Sequence, residues 1–255
     1  LNLGVKIIIS NLDSIIFSNN KLELMKKFKK IDLPVGEFYS VNNKKKLLEK
    51  IEKIGYPKKK IVVKPPISNG QRGVRIIDNN YDRKKMFYNE KPNNLFLPLN
   101  ELLSILGDTF NELIVTEFLE GDEYSVDVFR DKQRIDVIPR IRSKIRSGIT
   151  FAGETIYNQK IIDFSKKISN ELNLEYCFGL QFKLDKNGMP KILECNPRVQ
   201  GSMVISTLSN ANIIYSSVKS ILGEDVPEFK IKWNTKFIRY WGGISIFNDE
   251  KISSI

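Results

Sequence analysis

The chain has 255 residues, 41 Lys+Arg against 30 Asp+Glu, no His, two Cys and 41% hydrophobic residues. This excludes a disordered tail, a disulfide scaffold, a Ser-His-Asp triad, an imidazole base and a His-ligated zinc site, and fits one large or two small folded domains. The charge of +11 sits mostly on Lys, in scattered runs such as Lys44-Lys45-Lys46 and Lys58-Lys59-Lys60, without the Arg stripe and stacking aromatics of a nucleic-acid surface.

In chain order, Val5–Ser10 is an apolar, β-branched run that reads as a buried strand. Leu22, Met25 and Phe28 at spacing three predict a short amphipathic helix over Lys21–Lys30, broken by Asp32-Leu33-Pro34-Val35-Gly36. A second helix covers Asn43–Ile54, with Leu47, Leu48, Ile51 and Ile54 as its apolar stripe. Ile61–Lys64 and Val74–Ile77 are strands around the segment Pro65–Gly73, and residues 79–96 read as polar and irregular. Asn100 is expected to cap a helix through Leu106, stopped by Gly107. Strands follow at Glu112–Phe118, Glu123–Phe129, Arg134–Arg142 and Cys177–Leu184. A helix over Lys160–Leu172 interrupts them, with Ile161, Phe164, Ile168 and Leu172 facing inward. Lys191–Asn196 is a further strand, and helices Ser202–Leu208 and Ile213–Leu222 precede a last strand over Lys236–Phe247. Hairpins mixed with packed helices predict an α+β fold. No apolar run approaches the roughly 20 residues of a membrane span, and no signal peptide opens the chain, so a cytoplasmic setting is expected.

Three segments carry candidate chemistry. In Cys177–Arg198 the turn Asp185-Lys186-Asn187-Gly188 signals a hairpin. Pairing Leu184 with Lys191 sets Gln181 opposite Glu194, with Asn196 on the same face and Phe182, Leu193 and Cys195 turned into the core. One carboxylate between two amides is a hard-oxygen set suited to Mg²⁺, and Arg198 beyond it suits a phosphate or carboxylate. The opposed faces of Cys177 and Cys195 exclude a disulfide between them. In Val62–Val74 a strand ending in Lys64 runs into a loop holding Gly70 and Gly73, which suits an anion, although the P-loop order is missing. In Val115–Asp127 a strand breaks at Gly121, freeing backbone near Phe118 and Leu119 for a base edge, with Glu123 placed for sugar hydroxyls. Taken singly, each segment is better read as an ordinary turn or a solvated polar face.

In this order the segments resemble the ATP-grasp superfamily, most closely its carbamoyl-phosphate-synthase-like branch, from about Ile7 to Leu222. The resemblance rests on Asn20-Lys21 with Leu33-Pro34-Val35, Val63-Lys64-Pro65 with its glycine loop, and Glu117-Phe118-Leu119-Glu120-Gly121-Asp122-Glu123. It continues in Pro139-Arg140-Ile141-Arg142 with Arg146 and Gly148, and in Glu194-Cys195-Asn196-Pro197-Arg198 with Gln181 thirteen residues before Glu194. The last combination is the specific one.

The resemblance implies two α+β lobes with ATP between them, residues 38–116 and 117–255, after a remnant of a preceding α/β domain in residues 1–37. Val5–Ser10 would be that domain's last strand. Lys21 and Lys64 would contact the ATP phosphates under the loop Ser68–Gly73, with Ser68, Gly70 and Gly73 closing over them. Glu117, Phe118 and Leu119 would line the adenine site and Glu123 would hold the ribose. Gln181, Glu194 and Asn196 would carry one or two Mg²⁺ (or Mn²⁺) ions. Arg140, Arg142, Arg146 and Arg198 would face the γ-phosphate and the acceptor. The implied activity is ADP-forming ligation of a small-molecule carboxylate to an amine through an acyl phosphate, without nucleic acid or membrane. An N-terminal domain or partner chain would complete the site. Two rivals stay open: a split subunit of a carbamoyl-phosphate-type synthase, and a nucleotide-binding module without turnover. The branch usually has Asp where Asn20 stands.

Overall fold

The computed structural model describes residues 4–89, 95–131, 134–146, 148–240, 242, 244–247 and 250–254. The first helices are α1 (Leu12–Asn19) and α2 (Lys21–Lys30). Asn20 ends the first and caps the second, its side-chain oxygen accepting from the N–H groups of Leu22 and Glu23, so an amide does here what a carboxylate would. Leu22, Met25 and Phe28 are buried as their spacing requires. Then come β1 (Phe38–Asn43), α3 (Lys44–Ile54), β2 (Ile61–Lys64), β3 (Arg75–Ile77), α4 (Arg83–Asn89), β4 (Phe96–Leu97), α5 (Leu99–Leu106) and β5 (Thr109–Glu117). Strands β1, β5, β2, β3 and β4 form one five-stranded sheet, in that order. Its core joins Val41, Leu47, Ile51, Ile54, Ile61, Val63, Ile77 and Val115.

The chain then builds a second sheet from β6 (Glu123–Asp131), β7 (Arg134–Arg146), β8 (Ile149–Thr155), β9 (Tyr176–Leu184), β10 (Pro190–Asn196) and β11 (Lys236–Ile238). Its order is β10-β9-β6-β7-β8-β11. Helix α6 (Gln159–Leu172) interrupts it, α7 (Val204–Leu208) and α8 (Ile213–Leu222) follow β10, and a hairpin of β12 (Ile244–Phe247) and β13 (Glu250–Ser254) comes last. Alternation gives this sheet two different faces. Val126, Val128, Val137, Phe178, Leu180 and Phe182 point to a core shared with α2 and α6. Ser125, Asp127, Ile138, Arg140, Gly179 and Gln181 point the other way, toward α7 and α8 at one end and an open cleft at the other. Burying Phe28, Phe178 and Phe182 contributes roughly 1.5–3 kcal/mol each. Both cysteines are free, Cys195 in the first core and Cys177 against the second face.

Several expectations are corrected. Val5–Ser10 is not a strand, and Val5, Ile7 and Ile9 are exposed, because no described strand lies beside it to pair with. Leu48 leaves the apolar stripe for solvent. Asn100 lies inside α5, whose N-cap is Pro98 without a side-chain bond. Residues 149–155, given no element from the sequence, form β8, and β11 stops at Ile238, far short of Phe247. Of residues 79–96, α4 is helical and residues 90–94 lie outside the described set. Among the described residues no helix is long and apolar enough to cross a membrane.

Candidate active site

The cleft between the two sheets has a volume of about 410 Å³. Val62, Ile76, Leu95 and Leu193 give it an apolar end, closed by Thr116–Leu119. There β5 leaves its ladder after Glu117, so the backbone of Phe118 and Leu119 is free to meet a ligand edge. The Glu117 carboxylate instead accepts from the Glu37 N–H at 2.9 Å. It lies so near Gly36 that a Cβ there would come within 3.1 Å of its oxygen. Two ammonium groups lie near the ring of Phe118, Lys60 at 5.7 Å and Lys183 at 5.2 Å from its centroid. Gly121 folds the chain back, donating to the Leu184 carbonyl at 3.0 Å.

The polar end gathers cations around one carboxylate. Lys21, at the start of α2, donates from Nζ to the Ser68 carbonyl at 2.6 Å and pairs with Glu194 Oε2 at 3.4 Å. Its backbone N–H also bonds the Pro66 carbonyl, so this one residue tethers the glycine loop twice. Lys64, at the end of β2, is buried; burial pushes its pKa down to about 8 against the pull of Glu194, and Lys21 adds to the depression. Gly70 and Gly73 both take positive φ, +58° and +73°. Gly73 packs under the Pro65 ring and does not line the cleft.

Gln181 does lie opposite Glu194, by a route the sequence did not reveal. Leu184 pairs with Pro190 and Phe182 with Ile192; a β-bulge at Leu193 then shifts the register by one, so Gln181 meets Glu194 and Gly179 meets Asn196. A bulge puts two successive side chains on one face. Leu193, expected in the core, therefore joins Glu194 in lining the cleft, and Ile192 takes the core position. Asn196 donates to Glu194 Oε1 at 3.0 Å, and Arg198 donates to Asn196 Oδ1 at 3.2 Å. Among the described residues no cluster of three His, Cys, Asp or Glu exists, so no all-protein metal cage is present. One carboxylate with two amide oxygens, already facing an ammonium, fits a Mg²⁺ that keeps phosphate oxygens as its other ligands.

The arginines divide. Arg142 lines the cleft, bonded to Thr150 Oγ1 at 3.0 Å and the Gly148 carbonyl at 2.6 Å, and paired with Glu123. The acid expected on a ribose is thus held by an arginine. Arg198 is exposed at the cleft rim, and Arg146 stacks on Phe151, its guanidinium 4.8 Å from the ring centroid. Arg140 is the correction: it is 1% exposed and does not line the cleft. Its guanidinium is spent on Asp127, Ser202 and Gln200. Alternation does put it on the same face as Arg142, but α7 and the segment before it cover that part of the face. Gln200, Ser202, Thr150 and Lys183 line the cleft and were not singled out from the sequence. Gln200 and Ser202 follow the Glu-x-Asn-Pro-Arg stretch closely enough that continuing the reading past Arg198 would have found them.

A family model, ATP-grasp in the biosynthetic pathway with Ter operon, matches residues 109–239, just over half of the chain. The chain belongs to the ATP-grasp family. Solved structures agree in fold. The biotin carboxylase from Campylobacter jejuni, in a β,γ-ATP complex, aligns with a TM-score of 0.69 at 20% identity, covering 92% of this chain and 53% of that one. N5-carboxyaminoimidazole synthetase from Staphylococcus aureus, complexed with ADP, aligns with a TM-score of 0.63 at 19% identity, over 87% of this chain and 54% of that one. D-alanine–D-alanine ligase from Bacillus anthracis aligns with a TM-score of 0.59 at 16% identity, over 87% and 73%. This ATP-grasp chain spans about half the length of the first two. Its α+β architecture is the ATP-grasp fold.

Proposed function

We infer that this ATP-grasp protein is an ATP- and Mg²⁺-dependent, ADP-forming ligase that joins a small-molecule carboxylate to an amine. The observation that carries the reading is the convergence of Lys21, Lys64 and the Glu194–Asn196 pair at one end of a cleft whose other end is an apolar slot. Adenine fits the slot against the backbone of Phe118 and Leu119, and phosphates fit under the glycine loop. When bound, Mg²⁺ would be held by Gln181, Glu194 and Asn196 and would neutralise phosphate charge. Lys21 and Lys64 hold the phosphates, and Arg142 and Arg198 stabilise charge on the transferring group as an acceptor carboxylate oxygen attacks in line. ADP leaves, and an amine then displaces phosphate from the acyl phosphate. None of these steps asks for an imidazole. The relatives' greater length supports completion of the acceptor site by a further domain or partner chain.

The test is thermal unfolding with Mg-ADP. Binding to the native state alone raises stability by roughly 2.7 kcal/mol at a hundredfold excess over Kd; no shift at millimolar Mg-ADP would sink the reading. ADP release with paired carboxylates and amines then separates ligase from passive nucleotide binder.

A further inference from the structure

Strand β7 pairs with β6 only as far as Tyr124 and Ile141, because β6 begins at Glu123. Its ladder with β8 is irregular at the next residues, between Ile141 and Ile145. Past Ile141 the β7–β8 hairpin is therefore an arm that runs beyond the sheet on one imperfect ladder. Arg142 is the first residue of that arm and is only 9% exposed. Its Nη1 reaches back to Glu123 of β6, its Nη2 donates forward to the Gly148 carbonyl at 2.6 Å, and its Nε donates to Thr150 Oγ1 at 3.0 Å. One guanidinium thus braces the turn of the arm against the sheet.

The braced turn meets the glycine loop of the other sheet. A Cβ built on Gly148 would lie 3.5 Å from Gln71 Cγ and 3.7 Å from Gln71 Cδ, so the Gln71 side chain rests over the bare turn. Gln71 takes a φ of +60°, uncommon for a residue other than glycine. It lines the cleft together with Gly148, Arg142 and Glu123. Lys21 ties the loop earlier, at Pro66 and Ser68. A continuous chain of contacts therefore runs from Glu123 through Arg142 and Gly148 to Gln71.

Glu123 meets Arg142 through Oε1, so its Oε2 can accept from sugar hydroxyls. A guanidinium has five N–H donors, so bracing the turn leaves Arg142 donors for a phosphate. We propose that Arg142 is a positioning residue that makes closure of the glycine loop depend on the sugar of the nucleotide. A sugar on Glu123 fixes the carboxylate, the carboxylate fixes Arg142, and the turn it holds seats Gln71. The proposal rests on the nucleotide reading for the sugar; the bracing of the turn does not.

The experiment measures the affinity of the full chain for Mg-ADP and for Mg-2′,3′-dideoxy-ADP by calorimetry. Wild type should prefer ADP by about tenfold or more, the usual worth of hydrogen bonds to a charged group. Coupling free energy is reciprocal, so cutting the chain of contacts at its far end must shrink that preference. Gln71→Ala is an exposed truncation on the other sheet from Glu123, where folding is not at stake, and should shrink it by about two- to tenfold. Arg142→Lys keeps a charge for Glu123 but loses the fork, and should do the same. A side chain that only supported the fold would weaken both nucleotides alike. An unchanged preference in Gln71→Ala, or a wild type that does not distinguish the two nucleotides, overturns the proposal. Amide exchange of residues 67–73 without nucleotide measures the brace independently. It should quicken in Arg142→Lys, and an unchanged rate overturns the brace. A wild type that binds neither nucleotide overturns the nucleotide reading and with it the sugar dependence, while the exchange rates would still decide whether Arg142 seats the loop.

Discussion

Lys21 and Glu194 face each other at 3.4 Å across the polar end of the cleft, and the same ammonium bonds the Ser68 carbonyl at 2.6 Å. One cation thus ties the glycine loop to the carboxylate assigned to Mg²⁺. A ligand that brings its own cation to Glu194 competes directly with this tie. Metal binding at Glu194 would thus be expected to change how firmly Lys21 holds the loop.

Glu194→Gln keeps shape and hydrogen bonding but removes the charge. The fold should survive, because Glu194 lies on the cleft face and not in the core. ADP should still bind in the apolar slot, on other strands. What should vanish is the gain in ADP affinity on adding Mg²⁺, and turnover should fall by about 10²–10³, the usual loss of one electrostatic stabiliser. Titrations with and without Mg²⁺ decide it; a retained metal effect removes Glu194 from the site.

Lys64 makes the fold pH-dependent. Its pKa falls from 10.5 unfolded to about 8 in the native state, chiefly through burial. Between those values the unfolded chain binds more protons, so stability rises with pH across that window. Lys64→Met should abolish this slope and be the more stable protein at pH 7, by roughly 3 kcal/mol at most. Phosphate should restore the charge. Calorimetry of ADP binding near pH 8.5 in buffers of different ionisation enthalpy should register proton uptake in wild type and none from this group in Lys64→Met.

Gly121→Ala tests the crossing between the sheets. A Cβ there would lie 2.6 Å from Leu184 Cβ and 2.9 Å from the Leu184 carbonyl oxygen. Backbone cannot step aside as a side-chain tip can, so overpacking of about 1–3 kcal/mol is expected, with weaker nucleotide binding from the displaced Phe118–Leu119 backbone. A urea midpoint at the wild-type value would refute it.

Gly73→Ala meets two obstacles at once, a φ of +73° and the Pro65 ring at 2.7 Å. A left-handed residue costs roughly 1–2 kcal/mol without any clash. The loop should lose its shape and Mg-ADP its affinity, while the six-stranded sheet, remote in sequence, keeps its amide-exchange protection. Unaltered ADP affinity would mean the loop does not touch phosphate.

Elements with strong periodicity were legible in the sequence. Helix α2 and strand β2 have the predicted bounds, because Leu22, Met25 and Phe28 are all buried along the helix and Ile61 and Val63 share the core of the five-stranded sheet. Strand β8 was missed because Ile149–Thr155 owes its pairing to β7 and β11 and not to its own apolar pattern. The Val5–Ser10 run failed for the opposite reason, strand composition with no described strand beside it to pair with. In the site, Gln181 opposite Glu194 was legible from alternation, although a bulge was needed to bring it about. Arg140 was misplaced because parity gives the face a side chain points to, and cannot say whether a helix covers that part of it.

The bulge at Leu193 has a further consequence for how the cleft can change. In a regular strand, cleft and core draw on alternate residues, and neither set can be extended without displacing the other. One supernumerary residue relieves that constraint: Ile192 and Cys195 hold the core on one side, and Leu193 is an added wall of the slot on the other. Excising Leu193 would bring both halves of β10 into a single phase, with Gln181 still opposite the glutamate and Phe182 still opposite Ile192. The slot can thus be reshaped at this position while the interior stays as it is.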